Sequence, residues 1–87
     1  MKIYWYNGIK NIIGNRVKEA HSIHKPALTQ ENLAAKLDFM YIKLDRISIS
    51  RIESRDRFVS NYEIIALAKA LEVSLDWLLL YENQNHS

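Results

Sequence analysis

At 87 residues the chain has room for one domain and not two, and a chain this short buries only about 60–65% of its unfolded surface, so its core must be efficient. The lack of cysteine excludes a disulfide framework and cysteine-ligated zinc, and one proline with two glycines leaves little turn or linker material. Net charge is only +2, but residues 1–57 carry 11 Lys/Arg against 6 Asp/Glu while residues 58–87 carry 1 against 4, so basic character is concentrated in one part of the chain.

No apolar run approaches the roughly 18–20 residues of a membrane span. The opening MKIYWYNGIKNII is broken by Asn7, Lys10 and Asn11 and lacks the apolar stretch of a signal peptide. The expectation is a cytoplasmic, all-α protein with short connections, a single domain over 1–87 whose core spans about 9–82.

Residues 1–8 read as an aromatic N-terminal extension, with Tyr4, Trp5 and Tyr6 ahead of Gly8. A first helix is predicted from about Ile9 to His24. Ile9, Ile13, Val17 and Ala20 fall on one stripe, Gly14 weakens the helix modestly, and Pro26 follows its end. Thr29 is a good N-cap for a second helix, with Glu31 favourable in its first turn and Leu33, Ala34 and Leu37 as its stripe. Asp38–Leu44 is a connector without a cap of its own, too apolar at Phe39, Met40, Tyr41 and Ile42 to stay free. Asp45 caps a third helix, with Leu44 and Ile49 at the spacing of a hydrophobic staple. Ser54–Val59 is a basic loop. Ser60-x-x-Glu63 is a capping box opening a fourth helix that runs to Leu71. Ser74 caps a fifth, Leu75 to about Glu82, and residues 83–87 form a polar tail expected to be disordered.

The third helix, within DRISISRIE, carries the functional signal. Ile49 and Ile52 mark its buried side, and at about 100° per residue Ile47, Arg51 and Ser54 point the other way, flanked by Ser50 and Arg55. Four of the five arginines, Arg46, Arg51, Arg55 and Arg57, lie within 12 residues. Such a cationic, hydroxyl-bearing face suits a polyanion, and the spacing from the second helix suits a DNA-binding helix-turn-helix. The plain alternative is a solvated helix surface.

LTQENLAAKL, SISRIES and YEIIALAKALEVSLDWLL, in this order, resemble the lambda-repressor-like helix-turn-helix of XRE-type bacterial and phage regulators, over roughly residues 13–80. The resemblance implies a five-helix bundle whose third helix enters the major groove, usually as a homodimer on a palindromic operator of double-stranded DNA. Four features depart from the usual pattern. The connector is about five residues longer than a tight turn. Glu72 stands where most members have a left-handed glycine, at a cost of roughly 1 kcal/mol. His21 stands where an arginine often pairs with the glutamate that is Glu53 here. The chain ends soon after the bundle, so no fused ligand-binding or protease domain is expected.

The resemblance implies that Gln30, after Thr29 at the start of the second helix, bonds a backbone phosphate, assisted by the helix N-terminus. Arg46 and Arg51 are the candidates for base reading, since arginine grips guanine O6 and N7 with two bonds; the competing reading is an ion pair with Asp45 or another carboxylate. Ile47 lies about 160° from Ile49, where it either meets a thymine methyl or is covered by the connector. Ser48 and Ser50 are small enough to let the helix sit deep and to bond a base or phosphate. Ser54, Arg55, Arg57 and Lys43 are candidate phosphate contacts that fix register, against an ordinary charged loop. Glu53 is expected to pair with His21. Trp77, Leu80 and Tyr81 are candidates for a dimer interface, with Trp77 alternatively completing the monomer core. His21 and His24 at i, i+3 lack a third ligand, so no metal is expected. Nothing resembles a catalytic set, so neither enzyme activity nor a cofactor is expected. An antitoxin-like or protein-interaction module with a protein partner is the alternative function.

Overall fold

The computed structural model describes residues 10–79. The expectations for residues 1–8, for Leu80 and Tyr81 and for the tail at 83–87 lie outside the described residues. Among the described residues there are five helices and no strand: α1 (Gly14–Ile23), α2 (Gln30–Phe39), α3 (Arg46–Glu53), α4 (Asn61–Leu71) and α5 (Leu75–Leu79). The all-helical expectation is met, and no described helix is long and apolar enough to cross a membrane.

The starts of four helices follow the side chains that cap them. Thr29 accepts from the Asn32 amide at 3.0 Å, and Asn32 Oδ1 accepts from the Thr29 amide at 3.2 Å, closing a capping box that reading Glu31 alone misses. Asp45 accepts from the Ser48 amide at 2.8 Å. Ser60 and Glu63 form the expected reciprocal box, and Ser74 accepts from the Trp77 amide. Each cap satisfies amides that a helix start otherwise leaves unpaired.

The start of α1 differs from the expectation. It begins at Gly14, not near Ile9. Asn11 Oδ1 accepts from the amides of Ile13 and Gly14, at 3.1 and 2.9 Å, and so sets the first turn there. The apolar stripe survives at Ile13, Val17 and Ala20, which are buried.

Three helices end in the same way, each on a left-handed residue that is not glycine: Tyr41 (φ 63°) after α2, Arg55 (φ 63°) after α3 and Glu72 (φ 60°) after α4. In each, the next amide reaches back five residues: Ile42 to Leu37, Asp56 to Arg51 and Val73 to Ala68. This is the Schellman closure, in which glycine is the usual left-handed residue. A side chain there costs about 1 kcal/mol. The connector therefore does have a closure, contrary to the expectation. Met40 and Ile42 pack against the core, whereas Phe39 and Tyr41 are each 91% exposed.

The core joins Ile13, Val17 and Ala20 of the α1 region, Leu33 and Leu37 of α2, Ile49 and Ile52 of α3, Leu67 and Leu71 of α4 and Leu78 of α5. Leu44 is buried with Ile49, as the staple requires. α3 packs on α1 and α2, and α4 packs on α1, α2 and α5. α3 is thus backed by two helices and leaves one side to solvent.

Candidate nucleic-acid interface

The outward side of α3 is as the periodicity requires. Ile49 and Ile52 are fully buried, while Ile47 is 62% exposed; the connector does not cover it. Arg46, the first residue of α3, and Arg51, five residues on, have exposed side chains, as does Ser50 between them. Arg46 Nε lies 3.9 Å from Glu31 Oε2, and Arg51 Nη2 lies 3.6 Å from Asp56 Oδ2 and 3.3 Å from the Asp56 carbonyl. Ion pairs so exposed are worth about 0–1 kcal/mol, so either guanidinium can exchange its carboxylate for a stronger polyanion.

The remaining candidates divide by how firmly they are held. Lys43 is well exposed, 3.4 Å from Asp38 Oδ1. Ser54 closes α3 with its hydroxyl donating to the Arg51 carbonyl. Ser48 is half-buried and lines a shallow groove with Ala34, Ala35, Asp38 and Ile42. The Thr29 hydroxyl is engaged in capping α2. Arg57 is tied down: it meets both oxygens of Glu63, at 3.1 and 3.4 Å, and donates to the Phe58 carbonyl at 2.9 Å. Trp77 is half-buried against the core, with the Arg16 guanidinium 4.4 Å from its ring centre.

Behind the face lies a polar network. Gln30 Nε2 donates to Glu53 Oε1 at 3.0 Å, and His21 Nε2 lies 2.8 Å from Glu53 Oε2. The expected pairing of His21 with Glu53 is therefore present. The two side chains meet at close range, and neither His21 Nε2 nor Glu53 Oε2 has a hydrogen-bond partner in the structure. His21 Nδ1 lies 2.9 Å from the Leu28 carbonyl. The network joins α1, the turn before α2, the first residue of α2 and the last residue of α3. It turns the Gln30 side chain toward α3, a placement that the phosphate expectation did not include.

Three carboxylates are held below their ordinary range. Asp45 is lowered by the Ser48 amide and hydroxyl. Burial pushes Glu63 up, but the hydrogen bonds and charge of Arg57 and the Ser60 cap outweigh it and hold it low. Glu72 is lowered by His24, at 3.2 Å, and by Lys36. All three are structural: two belong to helix caps and one to the α4 closure. Among the described residues no group of three or more His, Asp or Glu side chains could hold a metal.

Sequence reasoning missed Asn11 and the contact role of Gly14. Both act across more than 30 residues, on the far end of α3. Neither carries a local signal beyond an asparagine and a glycine near a helix start.

The helix-turn-helix family HTH_3 matches residues 27–78, which spans α2 to α5. Among solved structures, the chain is similar to the restriction-modification controller protein C.AhdI from Aeromonas hydrophila. The two are 32% identical with a TM-score of 0.63, over 76% of this chain and 89% of that one. No curated protein matches the chain. The matched segment holds the whole helix pair and its outward basic face, and the chain belongs to the XRE-type helix-turn-helix family of DNA-binding transcription regulators.

Proposed function

We propose that this protein is an operator-reading regulator that acts mainly by occupying its site, as a repressor. The observation that carries the reading is the solvent face of α3, where an isoleucine stands 62% exposed between two exposed arginines on a helix whose other side is core. Water gives no reason to leave Ile47 there, whereas a thymine methyl does, and arginines beside it suit guanine edges. Arg46, Ile47, Ser50 and Arg51 read bases. Lys43, Ser54, Arg55 and the α2 start at Thr29 and Gln30 hold phosphates, and Ser48 lets the helix sit deep. Arg57 contributes through its charge, from a position set by Glu63.

The phosphate contacts supply most of the affinity and its salt dependence. The protein acts as a homodimer, placing two α3 helices about 34 Å apart on half-sites one turn apart. The half-exposed Leu75 and Leu79 of α5 give apolar surface for a second copy beside Trp77; Leu80 and Tyr81, the other interface candidates from the sequence, lie outside the described residues. The likeness to a restriction-modification controller protein supports the reading as a small regulator, which we propose to act in the cytoplasm without a cofactor.

The test is selection of duplexes from a random DNA pool, with the double variant Arg46→Ala/Arg51→Ala as control. An enriched palindrome that the variant fails to enrich is expected. No enrichment by the wild-type protein at low salt would replace this reading with a protein partner, for which Phe39 and Tyr41 are the exposed anchors.

A further inference from the structure

The last turn of α3 and the loop after it end in carbonyl groups that point at the segment before α1. Asn11 Nδ2 donates to the Ile52 carbonyl at 3.2 Å and to the Arg57 carbonyl at 2.8 Å, while the Lys10 amide donates to the Arg55 carbonyl at 3.0 Å. The Lys10 ammonium lies 5.6 Å from the centre of the Phe58 ring. Gly14 completes the contact by having no side chain. A Cβ there would stand 2.4 Å from the Ile52 carbonyl oxygen, 2.9 Å from that of Glu53 and 2.7 Å from Arg55 Cγ. Backbone atoms cannot yield as a flexible side chain can, so the bare glycine sets how closely α1 approaches the end of α3.

These ties converge on the turn that holds Arg55 at φ 63°. That turn decides where α3 ends, and through the rigid helix how its face is presented. We propose that Asn11 and Gly14 are positioning residues for the recognition helix: a lock that seats the C-terminal end of α3 and so fixes the depth and angle at which Arg46, Ile47 and Arg51 meet the bases. The proposal rests on operator reading by α3. Asn11 suits this role because its amide has two ends. The oxygen starts α1 and the nitrogen holds the α3 loop, so one side chain registers one helix against the other.

The two ends can be separated by substitution. Asn11→Ser keeps an oxygen able to accept from the α1 amides, as hydroxyls do in turns, but is too short to reach the Ile52 and Arg57 carbonyls. Gly14→Ala keeps Asn11 and instead forces α1 and α3 apart. Two measurements are made on the full chain. The first is amide hydrogen exchange in free protein. In Asn11→Ser, exchange at Ser54–Asp56 is expected to rise about tenfold while the α4 amides stay as in the wild type. The second is binding to the selected operator and to an unrelated duplex of equal length. The operator affinity of both variants is expected to fall about tenfold, with binding to the unrelated duplex changed less than about twofold.

A loss shared equally by both duplexes would mean that folded protein is merely scarcer, and it would overturn the proposal. So would unchanged exchange, or changed exchange with undiminished discrimination. A wild-type protein with no duplex preference is a different failure: it removes the operator reading, and the lock with it.

Discussion

The two ends of the recognition helix are built in opposite ways. At the N-terminal end Arg46 is 57% exposed and Ile47 62%, and their surroundings are a cap from Asp45 and a long, exposed contact to Glu31. At the C-terminal end Ile52 is fully buried, Glu53 is shared between Gln30 and His21, and the final carbonyls are met by Lys10 and Asn11. A helix that reads DNA needs both properties. Groups that are to bond bases must be only weakly held before DNA arrives, or the exchange gains little. The helix that carries them must not move relative to the body, or ordering it would consume the binding energy. Here the tasks are divided along α3, with freedom at the front and restraint at the back.

Substitutions at the two ends test that division. The largest effect belongs to the anchored end. Ile52→Ala empties a fully buried site and is expected to cost about 2–4 kcal/mol in urea unfolding. Operator discrimination by the protein that remains folded should fall as well, because the anchor sets the presentation of the face. Arg46→Ala is the counterpart at the free end. It should leave unfolding within about 0.5 kcal/mol of wild type and lower operator discrimination by about 1–3 kcal/mol, the range of one bidentate guanine contact. An Arg46→Ala variant that lost as much stability as Ile52→Ala would erase the distinction between the two ends.

Acid gives a smaller test. Glu63 holds Arg57 just beyond the anchored end, and its carboxyl lies below the ordinary value of 4.5. A carboxyl with a depressed folded value stabilises fully above its unfolded value, and that contribution is lost as pH falls through the folded value. Stability should therefore decline below about pH 4.5, with Asp45 adding to the decline below its ordinary 3.8. Glu63→Gln should cost about 1 kcal/mol at neutral pH and flatten the acid limb of stability against pH. An acid limb identical to that of the wild type would show that the Arg57–Glu63 pair does not fasten this end.

The free end was also the more legible one. Its cap, its staple and the outward placement of Ile47 and Arg51 follow from local spacing, because all depend on residues within two turns of one another. The anchored end depends on pairs far apart in sequence. Asn11 meets carbonyls 41 and 46 residues away, and no periodicity reports such a contact. The spacing of Ile9, Ile13, Val17 and Ala20 predicts an earlier start to α1, since hydrophobic spacing cannot show that the Asn11 side chain takes the amides of Ile13 and Gly14. Gly14 read as a weak helix residue for the same reason: what it accommodates is the backbone of another helix. His21 and Glu53 are the exception at this end. They were paired through the family resemblance, not through anything local to either residue. The left-handed Glu72 was likewise marked by the missing family glycine, whereas Tyr41 and Arg55 carried no such sign and emerge only from the backbone.

The smallest effect is the most discriminating, because it concerns a residue with no structural duty. Ile47→Ala removes an exposed side chain, so unfolding should shift by less than about 0.5 kcal/mol. If the side chain covers a thymine methyl, the variant should bind the operator about 1 kcal/mol more weakly, the worth of one or two buried methylene groups. The loss should vanish on an operator in which that thymine is replaced by uracil, which lacks only the methyl group. Arg46→Ala should respond to the same replacement as the wild type does, since its loss concerns a different base. Equal losses for Ile47→Ala on the thymine and uracil duplexes would place Ile47 against the sugar-phosphate backbone instead. The front of α3 would then read sequence through its arginines alone, and the free end would be fitted for positioning as well as for reading.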